Sequence, residues 1–363
     1  MKKIGVITLN GYFNYGNRLQ NYALEQILNK NGCYVETIWI DSKKLMRSTI
    51  NQRIRVFVKK NLIDPFYRWE EFLNDKKRLE NFEMFSLKYL NEKRYLSKKN
   101  TFQESDINTF DYFIVGSDQV WNPHYTSNSE LYLLSFVPPH KRIAYAPSFG
   151  ISTIPSDYKK VIQTYLLNYK NISVREEEGS RIIKDLTGKN VPVVLDPTLL
   201  LSNKEWMSIA QPPTNKPKKN YIVTYFLGEV SDERQKYIDR VTEKYNYKII
   251  KLANKHDEFY QTDPGGFVDL IKDASLVLTD SFHGTVFSII FERPFIVFER
   301  ENKHGSMRSR IDTLLRITNL ESRNVENLEM RDEVTNIDFR SAKNQLETEK
   351  TKSIDYLKNA LET

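Results

Sequence analysis

The sequence has little cysteine, no clustered histidines and no long apolar run. Cys33 is the single cysteine among 363 residues, which excludes an intrachain disulfide and a cysteine-based metal cluster. The five histidines are scattered and form no H-x-x-x-H pair, so zinc-ligand spacing is missing. No apolar run approaches the roughly 20 residues that cross a bilayer, and the chain starts without a signal-peptide pattern. These absences predict a cytoplasmic protein, and nothing in the sequence demands a bound metal.

A dinucleotide-binding fingerprint is also absent. Residues 14–17 lie between a predicted strand at 3–9 and a predicted helix at 18–29, where a phosphate-binding loop would be expected, but they lack G-x-G-x-x-G. The sequence therefore does not indicate a dinucleotide cofactor. Turn chemistry with helix capping explains Asn14 and Gly16 as well as a role in lining a cleft does.

What the chain does contain is a repeated strand–helix alternation, clearest over residues 276–298. An apolar strand, a polar elbow, an apolar run of helix length and a second strand form one βαβ unit. The elbow should lie at the carboxyl edge of a parallel sheet, beside a helix N-terminus that favours anions. Asp280, Ser281 and His283 fall in this elbow, which would place an acid/base imidazole beside an anion site. A buried histidine that serves only the structure is the alternative.

Polar residues follow other predicted strands. Residues 111–116 form a strand that delivers Ser117, Asp118, Trp121 and Asn122. Tryptophan stacks on sugar rings while carboxylates and amides bind hydroxyl groups, so this strand end could bind a sugar. A structural turn with a core tryptophan explains the same pattern.

Arginines occupy two further strand ends. Arg175 follows the strand near 172 and suits a bidentate contact with carboxylate or phosphate, although a salt bridge to the acidic residues 176–178 competes. The loop after the strand at 295–298 carries Lys303, Arg308 and Arg310. These cations would lie near His283 if the two strands are neighbours, and a basic surface loop is the other interpretation.

The alternation predicts an α/β fold with two Rossmann-like domains that face each other across a cleft. We place the first domain at 1–200, with a helical insertion at about 42–100, the second at 201–345 and a C-terminal helix at 346–363. Large apolar residues predicted to anchor the insertion in the core are Trp69, Phe72, Phe82, Met84 and Phe85.

Net charge is +7, and the basic residues are unevenly distributed. Residues 42–62 contain seven basic residues and no acidic one. A solvated helix face is one interpretation, and contact with anionic lipid headgroups is the other. No nucleic-acid-binding motif accompanies the charge, so nucleic acid is not an expected partner.

Together these motifs resemble the bacterial polysaccharide pyruvyl transferase family. They occur in the family's order and extend over about residues 4–315. The matching segments are residues 14–17, 113–122, 145–150, 173–176, 194–198 and 279–284. The segment 42–100 and the tail after about 320 lie outside the strongest resemblance.

The resemblance implies a GT-B-like architecture and transfer of pyruvate from phosphoenolpyruvate onto a sugar as a ketal. It implies cell-surface polysaccharide precursors as acceptors, often lipid-linked, and no cofactor besides the donor substrate. Arg175 would contact phosphoenolpyruvate and His283 would be the catalytic histidine. Some members carry Arg-Leu-His where this chain has Ser281, Phe282 and His283, so Arg308 or Arg310 would have to replace the missing elbow arginine.

These inferences assign three roles. The predicted catalytic residues are His283, Asp280 and Asp118. The predicted donor-binding residues are Arg175, Ser281, Gly284, Arg308 and Arg310. The predicted acceptor-binding residues are Asn14, Tyr15, Ser117, Trp121 and Asn122.

Two other functions remain open on the sequence. A nucleotide-sugar glycosyltransferase would use the same architecture, and a catalytically silent sugar-binding member of a polysaccharide assembly complex would explain the missing arginine. Residues 42–62 would place any of these proteins at the inner face of the plasma membrane.

Overall fold

The architecture was established from a computed structural model that describes residues 1–11, 13–39, 65–95, 102–126, 130–218, 220–300, 308–328 and 334–362. Elements built from the first half are, in chain order, β1 (Lys2–Ile7), α1 (Tyr15–Lys30), β2 (Cys33–Ile38), α2 (Pro65–Tyr89), β3 (Glu92–Lys93), α3 (Glu104–Asn108), β4 (Tyr112–Val115), α4 (Pro123–Thr126), β5 (Arg142–Ala144), α5 (Ser156–Leu167), β6 (Asn171–Ile172), α6 (Glu177–Thr187) and α7 (Asn203–Met207). The second half supplies β7 (Tyr221–Tyr225), α8 (Asp232–Tyr245), β8 (Lys248–Lys251), α9 (Pro264–Lys272), β9 (Leu276–Thr279), α10 (Phe282–Ile290), β10 (Phe295–Val297), α11 (Ser309–Ile317) and α12 (Arg340–Glu362).

Two parallel sheets organise the chain. The first has six strands in the order β3-β2-β1-β4-β5-β6, and the second has four in the order β10-β9-β7-β8. In β4, β7 and β9 nearly every residue is buried, as expected for parallel strands covered by helices on both faces. The prediction of an α/β fold with two Rossmann-like halves is confirmed. The order of the second sheet also makes β9 and β10 neighbours, paired from Val277 with Phe295 to Thr279 with Val297.

Only part of the predicted insertion packs as expected. Phe82 and Phe85 on α2 are buried, at 0% and 2% exposure. Trp69, Phe72 and Met84 are 61%, 55% and 64% exposed, so their prediction as core anchors was wrong. Their side chains lie on other faces of α2 than the one that packs against the protein, and helical periodicity separates the two groups. Residues 42–62 lie outside the described residues.

Helix α12 spans Arg340–Glu362 and returns to the first sheet. The Tyr356 hydroxyl donates to the Ala144 carbonyl at 3.0 Å, and Ser353 Oγ accepts from the Leu195 N–H at 2.9 Å. The end of the chain therefore packs against the first half. Among the described residues, no helix combines the length and the apolar character needed to cross a membrane.

Candidate active site

The elbow after β9 forms a capped helix start, as its sequence predicts. The Ser281 side chain accepts from the Gly284 N–H at 3.3 Å and caps α10. A Cβ on Gly284 would lie 2.5 Å from Thr279 Oγ1, so glycine allows α10 to pack closely on the end of β9. His283 is 4% exposed in the first turn of this helix. Ser281 and Gly284 thus build the elbow that positions the imidazole.

Asp280, one of the predicted catalytic residues, is bound by the loop after β7 and makes no hydrogen bond or ion pair with His283 among the described residues. Its Oδ1 accepts from the Leu227 N–H at 2.7 Å, and its Oδ2 accepts from the Gly228 N–H at 2.9 Å. Both carboxylate oxygens are therefore committed to the loop after β7. Arg300 lies against the same residue, since its Nη2 donates to the Asp280 carbonyl at 3.1 Å. Asp280 holds this edge of the second sheet together.

The N-terminus of α1 brings the first half against His283. Asn14 caps α1 by accepting from the Gly16 N–H at 2.9 Å. A Cβ on Gly16 would overlap the Nδ1 atom of His283. Glycine is therefore required at this position by the close approach of the imidazole, which neither capping nor turn chemistry would have predicted. The site lies between the two halves.

Asp196 is the residue on which the cleft's polar groups converge, and it was not among the predicted site residues. Its Oδ2 accepts from Arg175 Nη1 at 2.6 Å and from Ser117 Oγ at 2.9 Å. Its Oδ1 accepts from the Thr198 N–H at 3.0 Å and lies 3.7 Å from His283 Nε2. Burial would raise the pKa of Asp196, but the nearby His283 and Arg175 hold it well below its usual range. An aspartate directly after the apolar run 191–195 was the signal available in the sequence.

Arg175 forms ion pairs, but not with the acidic residues that follow it. Its Nη2 donates to Asp118 Oδ1 at 3.1 Å, and its Nη1 reaches Asp196. Its guanidinium lies over the ring of Phe282, 4.3 Å from the centroid. Burial opposes ionisation of Asp118, yet Arg175 and then His283 lower the pKa of its carboxyl group. The predicted Arg175 and Asp118 therefore belong to one buried network with His283.

Arg310 differs from the other arginines of the cleft. It is 4% exposed, and its side chain has no hydrogen-bond or ion-pair partner among the described residues. Burial lowers the pKa of Arg310 to about 10, and the charges of Arg175 and Arg300 contribute. Arg308, by contrast, pairs with Asp312 at 3.1 Å and Glu326 at 2.8 Å. The charges of Asp118 and Glu176 act on Arg310 without a direct hydrogen bond, and buried donors without an acceptor are costly unless a ligand supplies one. Lys303 lies outside the described residues.

The predicted sugar platform is not accessible. Trp121 is fully buried and donates from Nε1 to the Tyr132 carbonyl at 3.0 Å, so its assignment as an acceptor contact is contradicted. Tyr15 is also fully buried, and its hydroxyl donates to the Thr262 carbonyl at 3.1 Å. The reason in both cases is that the aromatic ring packs into a core and its polar atom is used there.

Ser117 and Asn122 are buried and make internal contacts. Ser117 contacts Asp196, and Asn122 donates to Gln119 Oε1 at 2.8 Å. Neither offers an exposed group to an acceptor. Of the five predicted acceptor residues, only Asn14 is partly exposed.

Four buried polar atoms near this network have no hydrogen-bond partner in the part of the chain that the structure describes. They are Arg175 Nε, Arg310 Nε, His283 Nε2 and Glu176 Oε2. Guanidinium nitrogens bind anions, and an imidazole nitrogen can give or accept a proton near neutral pH. The arrangement can therefore hold an anionic group and move a proton beside it.

Comparison with known proteins identifies one family. The model of the family described as polysaccharide pyruvyl transferase matches residues 14–302, which is most of the chain. No curated protein matches the sequence.

Several solved structures are similar in fold at low identity. A putative UDP-N-acetylglucosamine 2-epimerase from Listeria monocytogenes is 11% identical, with 94% of each chain covered and a TM-score of 0.45. The UDP-GlcNAc 2-epimerase from Neisseria meningitidis, solved with UDP-GlcNAc bound, is 12% identical, with 99% of this chain and 100% of that chain covered and a TM-score of 0.43. The E. coli ADP-heptose heptosyltransferase II is 11% identical, with 96% and 99% covered and a TM-score of 0.34.

Proposed function

Because the chain belongs to the polysaccharide pyruvyl transferase family, we propose that it moves pyruvate from phosphoenolpyruvate onto a sugar. The acceptor is a sugar of a cell-surface polysaccharide or of its lipid-linked precursor, and the product is a ketal. The observation that carries this proposal is Arg310, whose buried guanidinium lacks a partner among the described residues. A donor that carries a carboxylate and a phosphate would supply the hydrogen-bond acceptors that this guanidinium lacks among the described residues.

Donor binding draws on Arg310 and Arg175. Both Nη atoms of Arg175 are engaged by carboxylates, which leaves Nε for a ligand, whereas the Arg310 side chain has no hydrogen-bond or ion-pair partner within the described part of the chain. Arg310 would therefore hold the larger share of the donor's charge. It would also replace the arginine missing from the elbow, which weakens the case for a catalytically silent member.

His283 is the proposed general acid/base. The reaction requires a proton on the methylene carbon of phosphoenolpyruvate, which creates an oxocarbenium-like centre that a sugar hydroxyl attacks. Phosphate then leaves, and a second hydroxyl closes the ketal. Each hydroxyl loses one proton. One of these protons balances the proton added to the methylene carbon, and the other ends on phosphate. His283 Nε2 has no hydrogen-bond partner in the described protein, so it is available for such a transfer.

Ligand-dependent thermal stability tests the proposal. The unfolding temperature would be measured without ligand, with phosphoenolpyruvate and with UDP-sugars, for the wild type, Arg310→Met and Arg308→Met. A ligand at about 100 times its Kd adds roughly 2.7 kcal/mol of stability. We expect a shift with phosphoenolpyruvate that Arg310→Met abolishes and Arg308→Met retains.

A shift with UDP-sugars and none with phosphoenolpyruvate would contradict the proposal and favour a glycosyltransferase. Binding of saccharide without turnover of any phosphorylated donor would favour a silent member. Incubation with phosphoenolpyruvate and candidate acceptors, followed by release of phosphate, measures turnover directly.

We also propose that the enzyme acts in the cytoplasm, at the inner face of the plasma membrane, through residues 42–62. The seven basic residues there suit anionic headgroups. Helix α2 begins at Pro65 and exposes the stacked pair Trp69 and Phe72, residue types that favour membrane interfaces.

Vesicle sedimentation tests this membrane contact. Neutralising Lys43, Lys44, Arg53 and Arg55 with glutamine should reduce binding to vesicles of phosphatidylcholine and phosphatidylglycerol. Glutamine at four lysines of α12 gives a control with the same change of charge: Lys343, Lys350, Lys352 and Lys358. Unchanged binding of the first variant would contradict the proposal.

A further inference from the structure

Within the described residues, Glu176 has one carboxyl oxygen with three hydrogen-bond donors and another with none. The residue is 1% exposed and lies at the N-terminal boundary of α6, which its side chain does not cap. Its Oε1 accepts from Ser148 Oγ at 2.8 Å and from the N–H groups of Phe149 and Gly150 at 3.0 and 3.4 Å. Its Oε2 has no hydrogen-bond partner among the residues that the structure describes. The carboxyl group is thus rigidly held with one atom unused.

Two cations from different parts of the chain influence Glu176. Arg175 precedes it in the chain, and Arg310 belongs to α11, which packs against α6. The loop at 148–150 contributes only a hydroxyl group and backbone N–H groups. Burial raises the pKa of Glu176 more than Arg175 and Arg310 lower it. Protonation of this carboxyl group is therefore easier than in water.

The charges of this network do not favour another anion. Arg175 and Arg310 are accompanied by three carboxyl groups, those of Asp118, Asp196 and Glu176. Asp196 and Asp118 both have a lowered pKa and remain ionised. Arg300 also acts on Arg310, but it lies beside a fourth carboxylate, with its Nε 3.8 Å from Asp280 Oδ2. With Glu176 ionised, carboxylates therefore outnumber arginines before any ligand arrives. Loss of the charge on Glu176 balances them.

The unpaired Oε2 atom of Glu176 also indicates that this carboxyl group is protonated when an anion is bound. An anion held by Arg310 presents oxygens that only accept hydrogen bonds, and an ionised carboxylate also only accepts. Two such groups repel each other unless a proton lies between them, as in carboxylate pairs that share one proton. A proton on Oε2 would turn this repulsion into a donated hydrogen bond.

We propose that binding of an anionic donor in this cleft is coupled to uptake of one proton from solvent by Glu176, which then donates from Oε2 to the bound anion. Glu176 is a binding residue in this scheme, and its proton is released again when the anion leaves. The inference rests on the proposed function only for the identity of the donor as phosphoenolpyruvate. It applies equally to a simple anion such as sulfate.

Isothermal titration calorimetry measures this proton directly. Phosphoenolpyruvate and sulfate would each be titrated into the full-length protein in PIPES and in Tris, whose different ionisation enthalpies report protons taken up. Sulfate does not titrate near neutral pH, so any proton that is taken up when sulfate binds goes to the protein. Above the pKa of free Glu176, the wild type should take up about one proton more per bound anion than Glu176→Gln. Glutamine keeps the shape and a donor group.

Glu177→Gln is the matched control. Glu177 is the next residue, but its exposed side chain pairs with Arg316 on the surface. This variant should take up as many protons as the wild type. Equal uptake by the wild type and Glu176→Gln, or loss of sulfate binding in Glu176→Gln, would overturn the inference.

A second measurement on the wild type does not depend on any variant folding. Where free Glu176 is ionised, sulfate affinity should fall by up to about tenfold for each unit of rising pH. An affinity independent of pH would also overturn the inference. Sulfate binding with uptake but no binding of phosphoenolpyruvate would refute the proposed function alone. Binding of phosphoenolpyruvate without extra uptake would refute only the role of Glu176.

Discussion

At the scale of single residues, Asp196 sets the arrangement of the cleft. It contacts Arg175, Ser117 and Thr198 and approaches His283, and it is 1% exposed. Removing one partner from a buried ionic network is costly because the remaining charge stays buried. The residue therefore contributes to stability and to the position of the imidazole together.

Asp196→Asn should lower the free energy of unfolding by about 3 kcal/mol at neutral pH. The pKa of Asp196 is below its usual range in the folded protein, so protonation favours the unfolded state. Its contribution is present above the unfolded pKa of about 3.9 and is lost as the pH falls further. Urea unfolding from about pH 7 to about pH 3 should show the difference from wild type shrinking in acid.

Asp185→Asn provides the control for this measurement. Asp185 pairs with Arg181 on the surface, with 61% of its side chain exposed, and its loss should cost at most about 0.5 kcal/mol. A loss of similar size in both variants would contradict the role of Asp196.

His283→Ala should reduce turnover by about 10²- to 10⁴-fold, the usual contribution of a positioned acid/base. The thermal shift with phosphoenolpyruvate should remain, because the arginines still bind the donor. His256→Ala is the control, since His256 pairs with Glu71 away from the cleft. Full turnover by His283→Ala would show that the imidazole has only a structural role.

At the scale of elements, the site depends on helix starts that converge from both halves. Helix α1 presents Gly16 to His283, and α10 holds that histidine in its first turn. Helix α11 carries Arg310 as its second residue. Helix N-termini favour anions through their unpaired N–H groups and dipoles. The arginine side chains and the helix N-termini therefore both favour anionic ligands.

Gly16→Ala tests this contact between elements. Alanine has the higher helix propensity, so α1 should form, but its Cβ would displace the imidazole of His283. Misplacement by about 1 Å can reduce turnover by about 10²-fold. Steady-state kinetics and circular dichroism should show reduced turnover with helix content retained.

Asn29→Ala changes the other end of the same helix, where the residue is exposed. It should leave turnover unchanged. Wild-type turnover by Gly16→Ala would mean that the imidazole can move without loss of function.

At the scale of the whole molecule, Arg78 on α2 joins the two halves. It is 2% exposed and donates to Tyr15 Oη at 2.8 Å and the Phe13 carbonyl at 3.2 Å in the first half. In the second half it donates to the carbonyls of Leu252, at 3.4 Å, and Tyr260. The predicted insertion thus helps to fix the relative position of the two sheets, beyond its place in the first domain.

Arg78→Met keeps most of the side-chain volume and removes these donors. Several buried acceptors would lose their partner, so the free energy of unfolding should fall by about 3 kcal/mol. Lys77→Met is the control, because Lys77 is exposed and its ion pair is with Glu80 on the same helix. Equal urea midpoints for the two variants would contradict a joining role for Arg78.

The sequence by itself determined the strands, the helices and most of the polar residues at strand ends. Strands such as 276–279 can be recognised from their local apolar pattern, and the carboxyl ends of parallel strands lie at one edge of their sheet. Arg175, His283 and Arg310 were predicted in this way, and the structure brings them into one cleft region.

Only the tertiary structure decided which of these groups meet and which are already satisfied. The sequence could not show that Asp196, and not Asp280, contacts the arginine and the histidine. Only the structure shows that the loop after β7 occupies both carboxylate oxygens of Asp280. The sequence predicts that Trp121 stacks on a sugar, but the structure buries its ring in the core. Gly16 and His283 are far apart in the chain, and their contact follows from how the two sheets pack. Local pattern fixes the elements, but contacts between the halves depend on their docking.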